Sequence, residues 1–508
     1  MNLLKIPWIP VRPDDGTGTF NLLTYEQLLC ESGNWQGSLP RDDLELACVQ
    51  LLVCMTQLMF LPNDDKTLRA RIAKPLSRED FATGAQPCKD WFDLDHPTQP
   101  FMQSREVKAE KVTPIQKILV GLPEGNNHAF FNEAGEVKKL SSALTAIALF
   151  NQASNANSMG GGFKGNLRGG SNPYLTPVNI FVTGADLRGI VWHNVLTLPR
   201  IQKLLPGWKP DFECDQPTWV KPIAANETIQ WNDIGLARGL FWQPTRLELV
   251  QEKAPASCDL LEGDPVQVYA GFLKEQFKFT VNGLWPHPHG ARMAITKKGV
   301  LERKFVAFHA STPAWTQLSE FVVPRSVNDS DAKEGSEPSG PVAQADEMGG
   351  GRLHLWVGGY CAKQGSIVAR RHEMMSLAQG WDSDKNRLKQ LVDIGKEAKK
   401  ALYGKLWRAV KGEKKKRLKG IGAAIHETAE KLFYARTENL IHETFSNELT
   451  FKEWATARSA FAKQLADHCR DIFAELTDPY AMKAELIPVI AWARRSLNTD
   501  LKKLTEEA

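Results

Sequence analysis

The segment NANSMGGGFKGNLRGG, Asn155 to Gly170, sets three consecutive glycines (Gly160, Gly161, Gly162) ahead of Lys164 and Arg168, then closes on Gly169 and Gly170. Glycine lets a backbone turn freely and come close to a partner. The flanking cations suit an anionic partner, which makes Lys164 and Arg168 candidate phosphate contacts. The spacing is not that of a nucleotide-hydrolysing loop, which needs Gly, four residues and then Gly-Lys-Ser/Thr. The segment reads either as a flexible surface loop or as a backbone platform for a polyanion.

Other clusters offer different chemistry. LPRDDLE gathers Asp42, Asp43 and Glu45, and a nuclease could hold Mg²⁺ with such a group. The cluster also sits where a helix is expected to begin, and carboxylates there face the helix dipole favourably. WPHPHG places His287 and His289 two residues apart between prolines. Two histidines do not complete a metal site, and a structural turn is the stronger reading. His426-Glu427-Thr428-Ala429-Glu430 puts Glu where a zinc protease needs its second His. No metal or cofactor is therefore expected. Residues 381–420 are rich in cations and end in KGEKKKRLKG, which reads as a solvated helix end or as a phosphate-contacting stretch.

Elements must position these groups. The 508 residues suggest two to four domains. A net charge of +4 confines any nucleic-acid surface to a local patch. Fifteen tryptophans supply rings for cores and for stacking. Eight scattered cysteines, none in a Cys-x-x-Cys pair, suggest free thiols in a reducing cytoplasm. The N-terminus lacks the pattern of a signal peptide. The run from Leu46 to Leu61 is shorter than a membrane span and reads as a buried helix.

Leu140 to Ala153 reads as a helix capped by Ser141 or Ser142, which delivers the chain into the glycine loop. Asn179–Thr183, Phe277–Val281 and Phe305–Phe308 are strand candidates. Residues 326–351, polar and acidic, read as a mobile insertion. A strand-like run from Leu353 leads to a tight polar tip, Cys361 to Ser366. Beyond Trp381 apolar stripes recur at helical spacing, such as Leu388, Leu391, Ala398, Leu402 and Leu406. Pro488 predicts a helix start or kink. The fold class is α+β, with a mixed domain over 1–380 and a four-helix bundle over 381–508.

Five longer segments carry a resemblance. FNQASNANSMGGGFKGNLRGG, NVLTLPRIQK, GLFWQPTRLEL, GFLKEQFKFTVNGLWPHPHG and RRHEMMSLAQGW resemble the CasA family, the large subunit of the type I-E Cascade complex, a CRISPR surveillance particle. The resemblance starts at MNLLKIPWIPVRP and covers nearly the whole chain. It implies a non-catalytic subunit that reads the protospacer-adjacent motif (PAM) of double-stranded DNA from the minor groove and helps open the duplex. Implied partners are target DNA, guide RNA, the other Cascade subunits (backbone, 5′-handle-binding and small) and a separate helicase-nuclease, all in the cytoplasm and away from membranes.

The same resemblance assigns residues. The family's glycine loop falls on Ser158, Met159, Gly160, Gly161 and Gly162. Its glutamine wedge falls on Gln364, between Lys363 and Gly365. Its lysine finger falls on Gln276, so this chain departs from the pattern there. Lys274 and Lys278 flank that position, and in a strand all three point the same way. Either a neighbouring lysine substitutes, or Gln276 donates its own amide hydrogens. A loop that meets the guide-RNA 5′ end and a neighbouring subunit falls on Asn126–Asn132, with Phe130 and Asn132 at the matching positions. Two other readings stay open: an RNA-binding or scaffold subunit without PAM reading, and a metal-dependent nuclease built on Asp42, Asp43 and Glu45.

Overall fold

The run from Leu44 to Met59 is too apolar to face water, and it folds as the helix Asp42–Met59, buried from Leu46 to its end. Asp42, Asp43 and Glu45 form its acidic first turn, and Phe60 ends it two residues before Pro62. It packs on the helix Ser142–Asn155, in which only Ser154 is not buried. Ser141 caps that second helix by accepting the Leu144 N–H at 3.3 Å, as the sequence suggests. The computed structural model describes every residue except 15–17, 19, 123–134, 161, 171, 173, 298–299, 310, 328–333, 364, 414, 416 and 507–508.

The described chain divides into two units. The first takes in Met1–Ala310, Pro324–Met348 and Leu355–Met374; the second takes in Ser311–Val323, Gly349–His354 and Met375–Ala508. In the first unit, small sheets surround the two buried helices. The strand Val268–Glu275 pairs antiparallel with Arg246–Gln251, with Thr113–Pro114 and with Leu140–Ser141. A second sheet places Leu353–Lys363 between Ser366–Leu377 and Asn179–Val182, with Gly358 opposite Asn179. A third sets Arg292–Lys297 between Val300–Phe305 and Glu334–Glu337.

The second unit is helical. Lys385–Lys411 packs on each of Ile425–Ser446, Trp454–Ala481 and Ile487–Glu506. Leu391, Ala398, Leu402, Phe433, Leu465, Cys469 and Leu497 are among its buried residues. The last helix starts at Ile487, immediately before Pro488, which is the outcome the proline predicts.

Two expectations differ from the structure. The helical unit also takes in Ser311–Val323, whose Trp315 ring meets Tyr434 edge-on at 6.2 Å. A boundary drawn at residue 380 misses this, because no helical stripe marks that short segment. The expected mobile insertion is, beyond Glu334, a strand and the helix Gly340–Glu347. Its order comes from buried Val342 together with hydrogen bonds. Buried Gln344 donates to the Val195 carbonyl at 2.8 Å and accepts the Thr197 N–H at 3.1 Å. A reading that weighs only apolar content cannot see such an anchor.

Candidate nucleic-acid interface

At Ala156 the helix Ser142–Asn155 gives way to extended backbone, and the glycine loop begins. Gly160 and Gly162 adopt φ of +84° and +87°, the left-handed region that side chains disfavour. A turn closes between them, with the Phe163 N–H donating to the Gly160 carbonyl at 3.0 Å. Asn166 ties the base of the loop by donating to the carbonyls of Ala156 and Leu175, at 2.7 and 2.8 Å. The base is therefore fixed, and the exposed tip carries Gly160, Gly162 and Lys164. Ser158 and half-buried Met159 lead into it, Met159 resting on the main core. Gly161 lies outside the described residues.

Arg168 is not a phosphate contact in this structure; it is only 1% exposed. Its guanidinium donates to Asn179 Oδ1 at 2.8 Å, Asn155 Oδ1 at 2.6 Å and the Ser154 carbonyl at 2.9 Å. Burial lowers its pKa to about 9. The sequence shows a cation among glycines; it does not show that three acceptors wait inside. Lys164 does remain exposed, with Nζ 5.5 Å from the centre of the Phe279 ring.

The strand Val268–Glu275 brings a second group to the loop. Lys274 Nζ lies 5.0 Å from the centre of the Phe163 ring. Exposed Gln276 lies just past the strand end, and its amide rests against Gly162: a Cβ added there would be 3.4 Å from Oε1 and 3.7 Å from Nε2. Glu275, between them, pairs with Arg246 at 3.1 Å. Lys278 is exposed, while Phe279 turns inward. Regular strand ends before Gln276, so the expected continuous strand holds only as far as Glu275, yet Lys274 and Gln276 both meet the loop.

The hairpin of Leu353–Lys363 and Ser366–Leu377 brings the third group. Asn157 Nδ2 donates to the Gly365 carbonyl at 2.5 Å, which joins loop to hairpin tip. Gly365 has φ +85°, and a Cβ there would meet the Tyr174 ring at 3.1 Å. Lys363 is exposed beside it. Gln364, and likewise Phe130 and Asn132, lie outside the described residues. Asn157, Phe163 and Tyr174 escape the sequence reading. An exposed aromatic next to a glycine-bearing tip is a contact between positions remote in sequence.

The carboxylate cluster has a positional task. Asp43, 3% exposed, accepts from Arg41 Nε and Nη2 at 2.9 and 2.8 Å, from Tyr360 Oη at 2.8 Å and from Arg370 Nη1 at 3.1 Å. Tyr360 Oη accepts in turn from Asn151 Nδ2 at 2.7 Å. Tyr360 and Arg370 belong to the two hairpin strands, so this network anchors the hairpin to both buried helices. Four donors occupy the lone pairs of Asp43 that a Mg²⁺ would need. Burial pushes the Asp43 pKa up, but Arg41, Tyr360 and Arg370 outweigh it and hold the group below 3.8.

The glycine loop, Gln276 and the hairpin tip carry exposed polar groups side by side. The family model of CRISPR-associated protein Cse1 matches residues 2–472, and the chain belongs to that family. Its fold is similar to that of Cse1 from Thermobifida fusca, with TM-score 0.74 and 17% identity over 100% of this chain and 98% of the other. Thermus thermophilus CasA, also named Cse1, matches with TM-score 0.68 and 17% identity over 99% of each chain. A chain of a CRISPR RNA-guided surveillance complex matches with TM-score 0.64 and 15% identity over 98% of this chain and 99% of that one. Among the described residues, no helix is long and apolar enough to cross a membrane.

Proposed function

We propose that this chain is the PAM-reading large subunit of a type I-E CRISPR surveillance complex, acting in the cytoplasm without catalysis of its own. It would bind duplex DNA beside the target, start its opening for guide-RNA pairing, and support recruitment of the helicase-nuclease. The guide-RNA end and neighbouring subunits would meet it around Phe130 and Asn132. The observation that carries the reading is the contact of one glycine loop with Gln276, Lys274 and the hairpin tip. The minor groove is about 6 Å wide and admits only slim structures, which a glycine backbone is. Gln364, between Lys363 and Gly365 in the sequence, would act as a wedge that replaces some hydrogen bonds of the parted base pair. A scaffold without PAM reading is the second reading. The nuclease reading is disfavoured by the four donors on Asp43.

Groove reading falls to Gln276, set against Gly162, while Lys278 contacts phosphate. Gln276→Ala, tested in the complex against a library of PAM duplexes, then costs ~1–3 kcal/mol and relaxes preference at one position. Lys278→Ala weakens all sequences about equally and lowers the salt dependence. Lys274→Ala loosens Phe163 and gives a smaller, mixed effect. If Gln276→Ala leaves the preference intact and Lys274→Ala relaxes it, a neighbouring lysine has replaced the missing finger.

A further inference from the structure

Beneath the glycine loop, the two histidines of WPHPHG meet a cysteine from the other side of the core. Cys54 on the helix Asp42–Met59, His287 and His289 offer a sulfur and imidazole nitrogens all within 4.8 Å of one another. All three are buried: Cys54 and His289 at 0% and His287 at 5% exposure. Both ring nitrogens of His289, and Nε2 of His287, lack a hydrogen-bond partner. Unpaired buried polar atoms are costly and need an explanation. Backbone bonds hold the segment in place: the Ile180 N–H donates to the His289 carbonyl at 2.9 Å, and the Gly340 N–H to the Pro288 carbonyl at 2.7 Å.

We propose that Cys54, His287 and His289 form a structural site for one thiophilic transition-metal ion. Thiolate and imidazole are the ligands such ions prefer, and a His₂Cys set suits three-coordinate Cu⁺ or a Zn²⁺ that adds a fourth ligand. On binding, the Cys54 thiol releases its proton to solvent and the sulfur takes the metal. His287 Nδ1 accepts the His289 N–H at 3.1 Å. That bond is given up, so that the ring proton can sit on Nδ1 and Nε2 can ligate. His289 needs no such change.

Arg168 decides between the ions. Its hydrogen bonds all go to neutral acceptors, and its Nε has no partner. A metal-bound thiolate gives this buried cation an anionic neighbour. Cu⁺ in exchange for the thiol proton leaves the buried charge unchanged, whereas Zn²⁺ adds one positive charge next to the guanidinium. The site therefore favours Cu⁺.

The test uses the full chain, stripped with chelator and titrated anaerobically with Cu⁺, Zn²⁺ and Co²⁺, Co²⁺ serving as a spectroscopic probe. The expected result is about one ion per chain, a sulfur-to-cobalt charge-transfer band, and a melting midpoint that rises with metal concentration. Cys54→Ser and His289→Gln should each lose the band and the rise. Cys54→Ala repeats the arm with a smaller side chain. If a variant fails to fold, the parent protein still decides: no stoichiometric binding and no band overturn the site, and the unpaired nitrogens then belong to buried water. Equal binding by parent and folded variants overturns it too.

Discussion

Gly162→Asp is expected to cost the assembled complex about 100-fold in affinity for PAM-bearing duplex, or about 3 kcal/mol. Complex assembly and pairing with complementary single strands should be unchanged. Two effects add. At φ +87° a side chain is strained, by roughly 1–2 kcal/mol. The new Cβ would also sit 3.4 Å from Gln276 Oε1, and a carboxylate carried on it opposes DNA binding through like charge in a groove walled by phosphates. Gly162→Ala carries only the strain and a methyl group, and should lose ~10-fold. A direct binding titration with labelled duplex separates the outcomes. Parent-like affinity in both variants would mean that the loop tip never enters the groove.

The second large effect is on stability. Asp43→Asn should destabilise the protein by about 3 kcal/mol at neutral pH, because it leaves buried Arg41 without its counter-charge. The Arg41–Asp43 pair is close at 2.8 Å, with side chains 10% and 2% exposed. Arg370, 37% exposed, is screened by water and adds little to that figure. The pH dependence has a definite sign. The folded pKa of Asp43 is below the ordinary 3.8, so its contribution is full above that value and fades as pH falls through the folded pKa. The deficit of Asp43→Asn should therefore be constant near neutrality and shrink in acid. Chemical denaturation of parent and variant at pH 7 and below pH 4 reads this directly. A deficit that stays the same in acid would assign the effect to shape and not to charge.

Local signals in the sequence marked much of the fold. The helix entering the glycine loop was visible because Ser141 is a good cap and the apolar run after it is long. Asn179–Val182 was visible as a short apolar strand. The helical unit was visible because its stripes run for many turns, and the start near Pro488 followed from the missing N–H of proline. What escaped depends on partners distant in the chain. Arg168 was expected at the surface and lies inside, because its acceptor Asn179 comes from a neighbouring strand. Glu334–Glu347 was expected to be mobile, and the side chain that ties it down, Gln344, bonds to Val195 and Thr197. Asp42, Asp43 and Glu45 were rightly expected at a helix start. The sequence could not show that Asp43 also holds the hairpin through Tyr360 and Arg370.

The glycine loop and the Lys274–Lys278 segment were each legible as unusual residue types, and the hairpin tip as a polar turn between strand-like runs. Their mutual contact was not, because Gly162 and Gln276 are remote in sequence; the strand Val268–Glu275 pairs with Leu140–Ser141, which leads into the helix before the loop. The same holds for Cys54 and the two histidines, which neither spacing nor composition connects.

The central claim is tested most directly by R-loop formation in the assembled complex on two duplexes that share one target and differ only in the PAM. The account predicts opening of the PAM-bearing duplex and none of the scrambled one, while both complementary single strands pair equally well. It further predicts that Gln364→Ala abolishes opening and leaves single-strand pairing intact. Equal opening of the two duplexes by the parent complex would contradict the account and leave this chain a scaffold.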